Sequence, residues 1–254
     1  MDICCGYFRG NFYLKEYGNA AAPFLPVGNV SAFTLNHELT EIEQEDFTSL
    51  GGTACQISYI SSATLNMTLN CLKIRNLALA FQGSGAYGNI VAGSVEDESH
   101  EVVELGALIP LAYIPEKGTV VVTDNATPTP QTFVEGTDYV VTSAGIIPLA
   151  GGAIITTDTL LISYDYGIGS IVQALTSSQK VFEVIFDGIN VGEEGEQEVV
   201  LRAWKVKFAP AATFDLITSG EFASVEVVGT ILKDDTKVGA GVSKYYNLEM
   251  RDVA

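Results

Sequence analysis

Strict alternation of polar and apolar residues marks the most regular segment of the chain. Between Thr64 and Cys71, Leu65, Met67 and Leu69 alternate with polar side chains. Because successive side chains of a β-strand point to opposite faces, this pattern predicts a strand with one buried face and one face in water.

Four other segments have a similar period or a composition rich in β-branched and aromatic residues. They are Ser31–Leu39, Val181–Asp187, Val199–Phe208 and Val225–Leu232. Each is long enough for a strand and short of the length that is typical of a helix. The first segment is expected to place Phe33, Leu35 and Leu39 on one face, with His37 among them.

The Val199–Phe208 segment is expected to point Trp204, Val206 and Phe208 into the core. The same segment contains Arg202, Lys205 and Lys207, which supply nearly a quarter of all the basic charge.

Helical patterns are scarce in this sequence. Ile74–Phe81 is a short apolar run that is stopped by Gly83 and Gly85, so one short helix is predicted there. Ala211–Ile217 is expected to add one helical turn after Pro210. The predicted fold class is therefore all-β, mainly an antiparallel β-sandwich or barrel with one short helix.

Between Tyr113 and Gly169 the sequence pattern changes to short segments rich in β-branched residues, called bursts below, which are separated by proline and glycine. The bursts are Thr119–Thr123, Thr132–Val134, Asp138–Thr142, Gly145–Pro148 and Leu160–Tyr164. This spacing predicts a small β-sandwich-like module at residues 113–169, inserted between the two parts of a larger β domain at residues 1–112 and 170–254. Its predicted core consists of Val120, Val122, Phe133, Tyr139, Val141, Ile147 and Ile162.

Charge restricts the function more than hydropathy does. The chain of 254 residues carries 13 Lys and Arg against 31 Asp and Glu, a formal net charge of −18. A protein that grips nucleic acid needs a clustered basic surface to neutralise phosphates, and this composition excludes that class. It does not exclude a protein past which nucleic acid slides.

Secretion, membrane insertion and metal binding have no support in the sequence. The first residues lack the basic and apolar regions of a signal peptide, and glycines and Pro148 divide the only long uncharged run, so no transmembrane helix is expected. Cys4, Cys5, Cys55 and Cys71 lack CxxC spacing, and the prediction is reduced thiols in a cytoplasm, with no metal and no cofactor.

The one match to a binding motif is Gly83-Ser84-Gly85-Ala86-Tyr87-Gly88, a GxGxxG sequence. A dinucleotide site needs this motif after a strand and before a helix, but here an apolar helical run precedes it and no βαβ pattern surrounds it. The segment is therefore interpreted as a flexible glycine loop.

No catalytic residue is predicted, and the protein is not expected to be an enzyme. His37 lies on the apolar face of its strand, and His100 lies in the acidic segment Glu96–Glu101, interpreted as a solvated loop. The acidic residues come in runs without an intervening cation, around residues 38–46, 96–104 and 187–198. Solvated acidic faces explain these runs better than metal sites do.

Several segments resemble bacteriophage tail tube (major tail) proteins. The resemblance runs through the segments Val27–Val30, Phe33–Leu35, Thr64–Cys71 and Asn76–Gly83, and continues in Asp187–Asn190, Phe208–Ala211 and Glu221–Gly229. The middle of the chain, with Glu135–Val141 and Tyr164-Asp165-Tyr166, is similar to the immunoglobulin-like insertions of virion proteins.

The resemblance implies a structural virion protein with a tail-tube-like fold. Its subunits would form hexameric rings that stack into a hollow tube, and the DNA genome would pass through without specific binding. The implied partners are other copies of the chain and further tail proteins (terminator, tape measure, and baseplate or tip), with no membrane. The implied location is the virion tail, and the host cytoplasm during assembly.

An acidic lumen fits this expectation, because like charge offers DNA phosphates no contacts to break. Glu193, Glu194 and Glu196, in and beside a hairpin-like turn, are the residues expected at the lumen or its rim. The inserted module would lie outside the tube.

Two other classes remain open at this stage. One is a carbohydrate-binding or adhesin-like β module whose Tyr and Trp residues contact sugar. The other is a hydrolase with a pair of carboxylates, although the clustering of the acidic residues in runs argues against it.

Overall fold

The computed structural model describes residues 6–48, 51–86, 88–177, 180–192 and 195–253. In chain order, its strands and its helix are β1 (Tyr7–Glu16), β2 (Leu25–Pro26), β3 (Val30–Glu45), β4 (Thr53–Leu69), α1 (Ile74–Ala80), β5 (Gly93–Glu101), β6 (Ile109–Pro110), β7 (Val121–Asp124), β8 (Tyr139–Thr142), β9 (Gly145–Pro148), β10 (Thr159–Tyr166), β11 (Val181–Gly192), β12 (Gly195–Phe208), β13 (Val225–Ile231) and β14 (Tyr246–Asp252). All the ladders between these strands are antiparallel, and the predicted all-β fold class is confirmed.

The chain divides into two compact units. The first comprises residues 1–85 and 172–254, and the second comprises residues 86–171. The second unit thus begins at Ala86, whereas the sequence predicts a module that begins at Tyr113. The boundary differs because β5, which precedes Tyr113, pairs with β10 over most of its length. The acidic composition of β5 hid this strand from the sequence pattern.

Both ends of the second unit lie side by side. The N–H of Ile90 donates to the carbonyl of Gly169 at 3.1 Å, and the N–H of Gly169 donates back at 3.0 Å. The N–H of Gly88 also donates to the hydroxyl of Ser170 at 2.9 Å. The chain therefore enters and leaves this unit at one place, as an inserted unit requires.

The first unit is built on one sheet of eight strands in the order β2-β1-β11-β12-β13-β4-β3, with β14 also paired to β12. Two strands share one edge of β12. β13 pairs with it at Val206–Phe208, and β14 pairs with it at Gln197–Ala203. The sheet therefore has a four-stranded part, β1-β11-β12-β14, and a part that continues through β13 to β4 and β3.

The core of the first unit lies under β4 and β13. Leu65, Met67 and Leu69 are fully buried on β4, which confirms the alternation predicted from the sequence. On β13, Val225 and Val227 are buried opposite them. Burial of one such side chain contributes about 1.5–3 kcal/mol, so this seam holds the unit together.

Helix α1 begins at Ile74 and ends at Ala80, close to its predicted limits. Its end is a Schellman motif: Gln82 is left-handed at φ 46°, and the N–H of Gly83 donates to the carbonyl of Ala78 at 2.8 Å. Gly83 is required for a different reason from the one predicted. A Cβ atom there would collide with the carbonyl of Gln173.

Trp204 does not point into the core as predicted. Val184 of β11 pairs with Ala203, but Phe182 pairs with Val206, so the register shifts between these two pairs. This β-bulge gives β12 one extra residue and changes which face the following residues occupy. Val206 and Phe208 are buried as predicted, whereas Trp204 is only half-buried on the opposite face.

Leu39 is also exposed, contrary to prediction. β13 covers β4 only from Thr64 to Leu69. Leu39 pairs with Ile60, beyond that cover. The predicted helical turn at residues 211–217 is absent, and the segment forms bends.

The second unit contains two three-stranded sheets, β5-β10-β7 and β6-β9-β8. Five predicted core residues, Val120, Val122, Phe133, Tyr139 and Ile162, are buried, and Val141 is partly buried against them. Ile146 takes the place predicted for Ile147. Gly145 precedes it with a φ of 149° and approaches the carbonyl of Ile109 so closely that a side chain would not fit there.

Candidate functional site

The acidic turn expected at a lumen is only partly described. Glu193 and Glu194 lie outside the described residues. Glu196 is exposed on β12, opposite Val191 of β11, and its carbonyl accepts the N–H of Val253 at 3.1 Å. The structure therefore places Glu196 in a paired strand, one residue beyond the start of β12.

One face of the four-stranded part carries charges of both signs. Its acidic residues are Glu183, Asp187, Glu196, Glu198 and Glu249, and its basic residues are Arg9, Lys15, Arg202 and Arg251. Arg251 lies 2.5 Å from Glu198, Arg202 lies 2.9 Å from Glu249, and Lys15 lies 3.6 Å from Glu183. Three of the four cations on this face therefore lie within 4 Å of a carboxylate, and the fourth, Arg9, contacts Tyr7.

An acidic segment without Lys or Arg forms the outer half of the β3–β4 hairpin, here called the arm (residues 38–48 and 51–62). β3 and β4 pair with each other along the arm, and no third strand of the described chain joins them there. The sequence contains no Lys or Arg between Lys15 and Lys73. From the sequence alone, this absence of cations could have indicated an acidic arm.

The two faces of the arm differ in chemistry. One face pairs Leu39 with Ile60 at its base and then carries Glu41 and Glu43. The other face pairs Ile42 with Ile57 and has no charged residue from Thr40 to Gln44 or from Cys55 to Tyr59. Both isoleucines are more than half exposed, and Phe47, at the arm's tip, is 84% exposed. An exposed apolar surface on a two-stranded ribbon is typical of an interaction site.

The four-stranded part ends in two strand edges that no described strand covers. On β1, β2 pairs with Tyr13 and Leu14 and the N–H of Val27 donates to the carbonyl of Phe12, so no described strand covers the edge from Tyr7 to Asn11. On the opposite side, β14 pairs with β12 alone. Because neighbouring strands alternate in direction, β14 runs opposite to β1. Met250 and Gly10 lie in the same row of pairs across the sheet.

A mainly apolar groove of about 450 Å³ lies beside α1. Leu14, Leu79 and Phe182 line it inside, and the exposed Arg75 and Lys180 stand at its mouth. Sequence patterns gave no sign of this groove, since its walls come from distant parts of the chain.

Two buried or half-buried amides hold the walls of the groove in place. The side-chain nitrogen of Asn76 donates to the carbonyls of Val27 and Cys71, both at 2.7 Å. The side-chain nitrogen of Gln82 donates to the carbonyl of Phe208 at 2.9 Å. The groove is therefore a formed feature of the first unit.

In the second unit, Glu98 is the centre of a hydrogen-bond cluster. It accepts the hydroxyl of Tyr164 at 2.7 Å, Nε2 of His100 at 2.8 Å and the N–H of Ala112 at 3.2 Å. Burial alone would raise the pKa of Glu98, but the bonds from Tyr164 and His100 outweigh it and lower that pKa. Burial, together with the bond to Glu98, raises the pKa of Tyr164 to about 12.

This cluster corrects the prediction of a solvated loop around His100. The residue lies in β5 and is half-buried. Its partners are a carboxylate and, through that carboxylate, a tyrosine, with no nucleophile within the cluster. The arrangement joins β5 to β10 and to Ala112, which is a structural role.

Neither Trp204 nor His37 presents an open binding surface. The ammonium of Lys237 lies 4.2 Å from the centroid of the indole ring, and Nε1 of the indole donates to the carbonyl of Ser243 at 3.2 Å. Nε2 of His37 lies 2.9 Å from the hydroxyl of Tyr246. A sugar would have to displace Lys237 to stack on that face of the indole.

The described part of the chain contains no group of three or more His, Cys, Asp or Glu side chains that is arranged to hold a metal ion. Cys55 and Cys71 are free thiols; Cys4 and Cys5 lie outside the described residues. Within the ranges that the structure describes, no helix has the length and apolar character needed to cross a membrane.

Fold and surface together define an all-β protein of two units with exposed strand edges and an acidic arm. The chain belongs to the family described as "Protein of unknown function UCP028589", whose family model matches residues 6–249. No curated protein matches the chain.

Proposed function

We propose that this protein is a structural virion subunit that assembles through its strand edges into rings, and that the rings stack into the tube of a phage tail. The observation that carries the proposal is the pair of edges on the four-stranded part that no described strand covers. β14 of one copy would lie antiparallel to β1 of the next, so each copy can extend the sheet of its neighbour.

An interface of this kind is heterologous, because each copy offers β14 on one side and β1 on the other. Repeating it generates a closed ring when the rotation closes. Closure would also remove the exposed edges, which are otherwise sites of uncontrolled aggregation. The resemblance of the sequence to tail tube proteins supports six copies for each ring.

The ion pairs on one face of the four-stranded part support the passage of DNA through such a ring. Phosphates bind strongly to free cations, and Lys15, Arg202 and Arg251 each lie within 4 Å of a carboxylate, while Arg9 lies against Tyr7. If this face lines the bore, phosphates would have to compete with Glu183, Glu249 and Glu198 for these cations. DNA would then slide without adhering.

The test introduces charge into an edge strand. Leu248→Lys with Met250→Lys on β14 should prevent edge pairing between copies, since like charges on an edge oppose strand addition. Val228→Lys is the matched control, because it lies on β13, which has partners on both sides. We expect rings in negative-stain micrographs for the wild type and the control, and monomers for the double variant. Rings formed equally well by all three proteins would contradict assembly through this edge.

A further inference from the structure

We propose that the tip of the arm of one copy docks into the groove beside α1 of a second copy, with Phe47 as its anchor. The inference rests on the proposed function only in that copies of the chain associate. It adds a second contact that is separate from the strand edges.

Phe47 has the exposure expected of an unsatisfied anchor. Its ring is 84% exposed at the tip of a two-stranded arm, next to Glu45 and Asp46. Aromatic side chains that fill a pocket on a partner account for much of the binding energy of protein interfaces. An exposed phenylalanine in this position gains most of its stabilisation only when a partner covers it.

The groove has the size and lining to receive such a ring. Its volume of about 450 Å³ falls in the range of ligand-binding pockets. Leu14, Leu79 and Phe182 provide apolar contacts inside. Asn76 and Gln82 hold its walls, so the copy that offers the groove needs little rearrangement.

Charge complementarity selects the arm as the occupant. The arm carries Glu38, Glu41, Glu43 and Glu45 and no Lys or Arg. Two exposed cations and one carboxylate, that of Glu16, line the groove, so the cations are in excess. Arg75 uses one nitrogen on the carbonyl of Pro26 and keeps other N–H donors, and Lys180 has only an exposed pairing with Glu16 at 3.5 Å. Acidic residues around an aromatic anchor fit a basic rim around an apolar groove.

The arm cannot fill the groove of its own copy. β4 runs for 17 residues from the arm to Leu69, shortly before α1. At about 3.3 Å for each residue, this strand separates the tip from α1 by about 50 Å. The contact must therefore join different copies. Because an arm meets a groove and not another arm, the contact can repeat from copy to copy.

The test exchanges charges between the two sides. Arg75→Glu with Lys180→Glu reverses the groove, and Glu43→Lys with Glu45→Lys reverses the arm. Phe47→Ser removes the anchor. Lys117→Glu with Lys233→Glu is the matched control, because it changes the net charge by the same amount at two exposed lysines that neither line the groove nor belong to the arm. Association is measured by analytical ultracentrifugation across a concentration series, and thermal denaturation of each monomer verifies folding.

We expect each reversal alone, and Phe47→Ser, to weaken association by about tenfold or more, and the control to leave it unchanged. A mixture of the two reversed proteins should associate much more strongly than either one alone, because the attraction is restored with its signs exchanged. Indifference to Phe47→Ser and to both reversals would overturn the docking, as would a mixture that fails to recover.

Running the series in the Leu248→Lys and Met250→Lys background separates this inference from the proposed function. If copies still associate there with the same charge dependence, the docking is supported even when micrographs contain no rings. If the wild type forms rings whose assembly ignores the arm and groove variants, the edge contact stands and the docking fails. If no association occurs at any concentration in either background, the docking is overturned.

Discussion

The inner and outer halves of the β3–β4 hairpin consist of the same two strands, but a third strand covers only the inner half. In the inner half, β13 continues the sheet beyond β4, and Leu65, Met67 and Leu69 are fully buried. In the outer half, the same two strands pair with each other alone, and Ile42 and Ile57 are mostly exposed. Both halves contain apolar residues, but only the inner half is covered, and only the outer half carries acidic residues.

The comparison teaches that apolar residues on a strand stabilise a fold only where a further element removes them from water. An isolated two-stranded hairpin is marginally stable, and the arm is held by its continuity with the covered half. Apolar residues in the arm therefore contribute little to the folding of a single copy. They are available for contact with another chain, as the docking of Phe47 requires.

The largest effect is expected in the covered half. Leu65→Ala should lower the free energy of unfolding by about 2–5 kcal/mol, because it leaves a cavity where the side chain is fully buried. Urea denaturation followed by the fluorescence of Trp204, the single tryptophan, measures the first unit directly. Val228→Ala, on the outer face of β13, is the control. A loss of under about 1 kcal/mol for Leu65→Ala would show that this seam is not the core.

Lowering the pH should destabilise the polar cluster of the second unit without affecting the packing of the β3–β4 hairpin. Folding lowers the pKa of Glu98, so its contribution to stability is complete above its unfolded pKa of about 4.3 and is lost as the pH falls through its folded pKa. We expect amide exchange in β5 and β10 to accelerate as the pH falls below about 4, after correction for intrinsic rates.

Glu98→Gln should reduce that pH dependence, since glutamine keeps an acceptor for Tyr164 without a titrating group. Glu96→Gln, on the same strand and exposed, is the matched control. The cost of Leu65→Ala should not change with Glu98→Gln, because the two residues belong to different units. Equal acid sensitivity in the Glu98 and Glu96 variants would contradict the role given to the cluster.

The smallest effect is expected in the uncovered half. Ile57→Ala should change the unfolding free energy of the monomer by no more than about 0.5 kcal/mol, because its side chain is 66% exposed. The same urea titration at a concentration where the protein is monomeric provides the measurement. A cost that approaches that of Leu65→Ala would break the comparison, since it would mean that the arm is covered in the free protein.

Sequence pattern predicted those features that depend on neighbours in the chain. The alternation at Thr64–Leu69 and the short helix that begins at Ile74 are both found in the structure. Prediction from local patterns failed where one extra residue in a strand changed which face of the sheet the following side chains occupy. The β-bulge before Val206 moves Trp204 out of the core, and the bulge is visible only in the pairing with β11.

The candidate sites divide in the same way. The acidic character of the arm follows from its glutamates and from the absence of Lys and Arg between Lys15 and Lys73. Any fold would keep that excess of negative charge in this segment. The groove is different, because Leu14, Leu79 and Phe182 come from three distant segments of the chain. No periodicity can report a surface whose parts are that far apart in sequence.

By itself, the sequence determined the all-β class, the net negative charge and the strands with a regular period, because each of these is a local or summed property of the side chains. Tertiary structure alone decided which of these strands are covered. Burial depends on which segment arrives from elsewhere in the chain, and β13 reaches β4 only as far as Thr64. That limit leaves the outer half of the hairpin exposed, and it is why residues of the same apolar type form a core at Leu65 and a surface at Ile57.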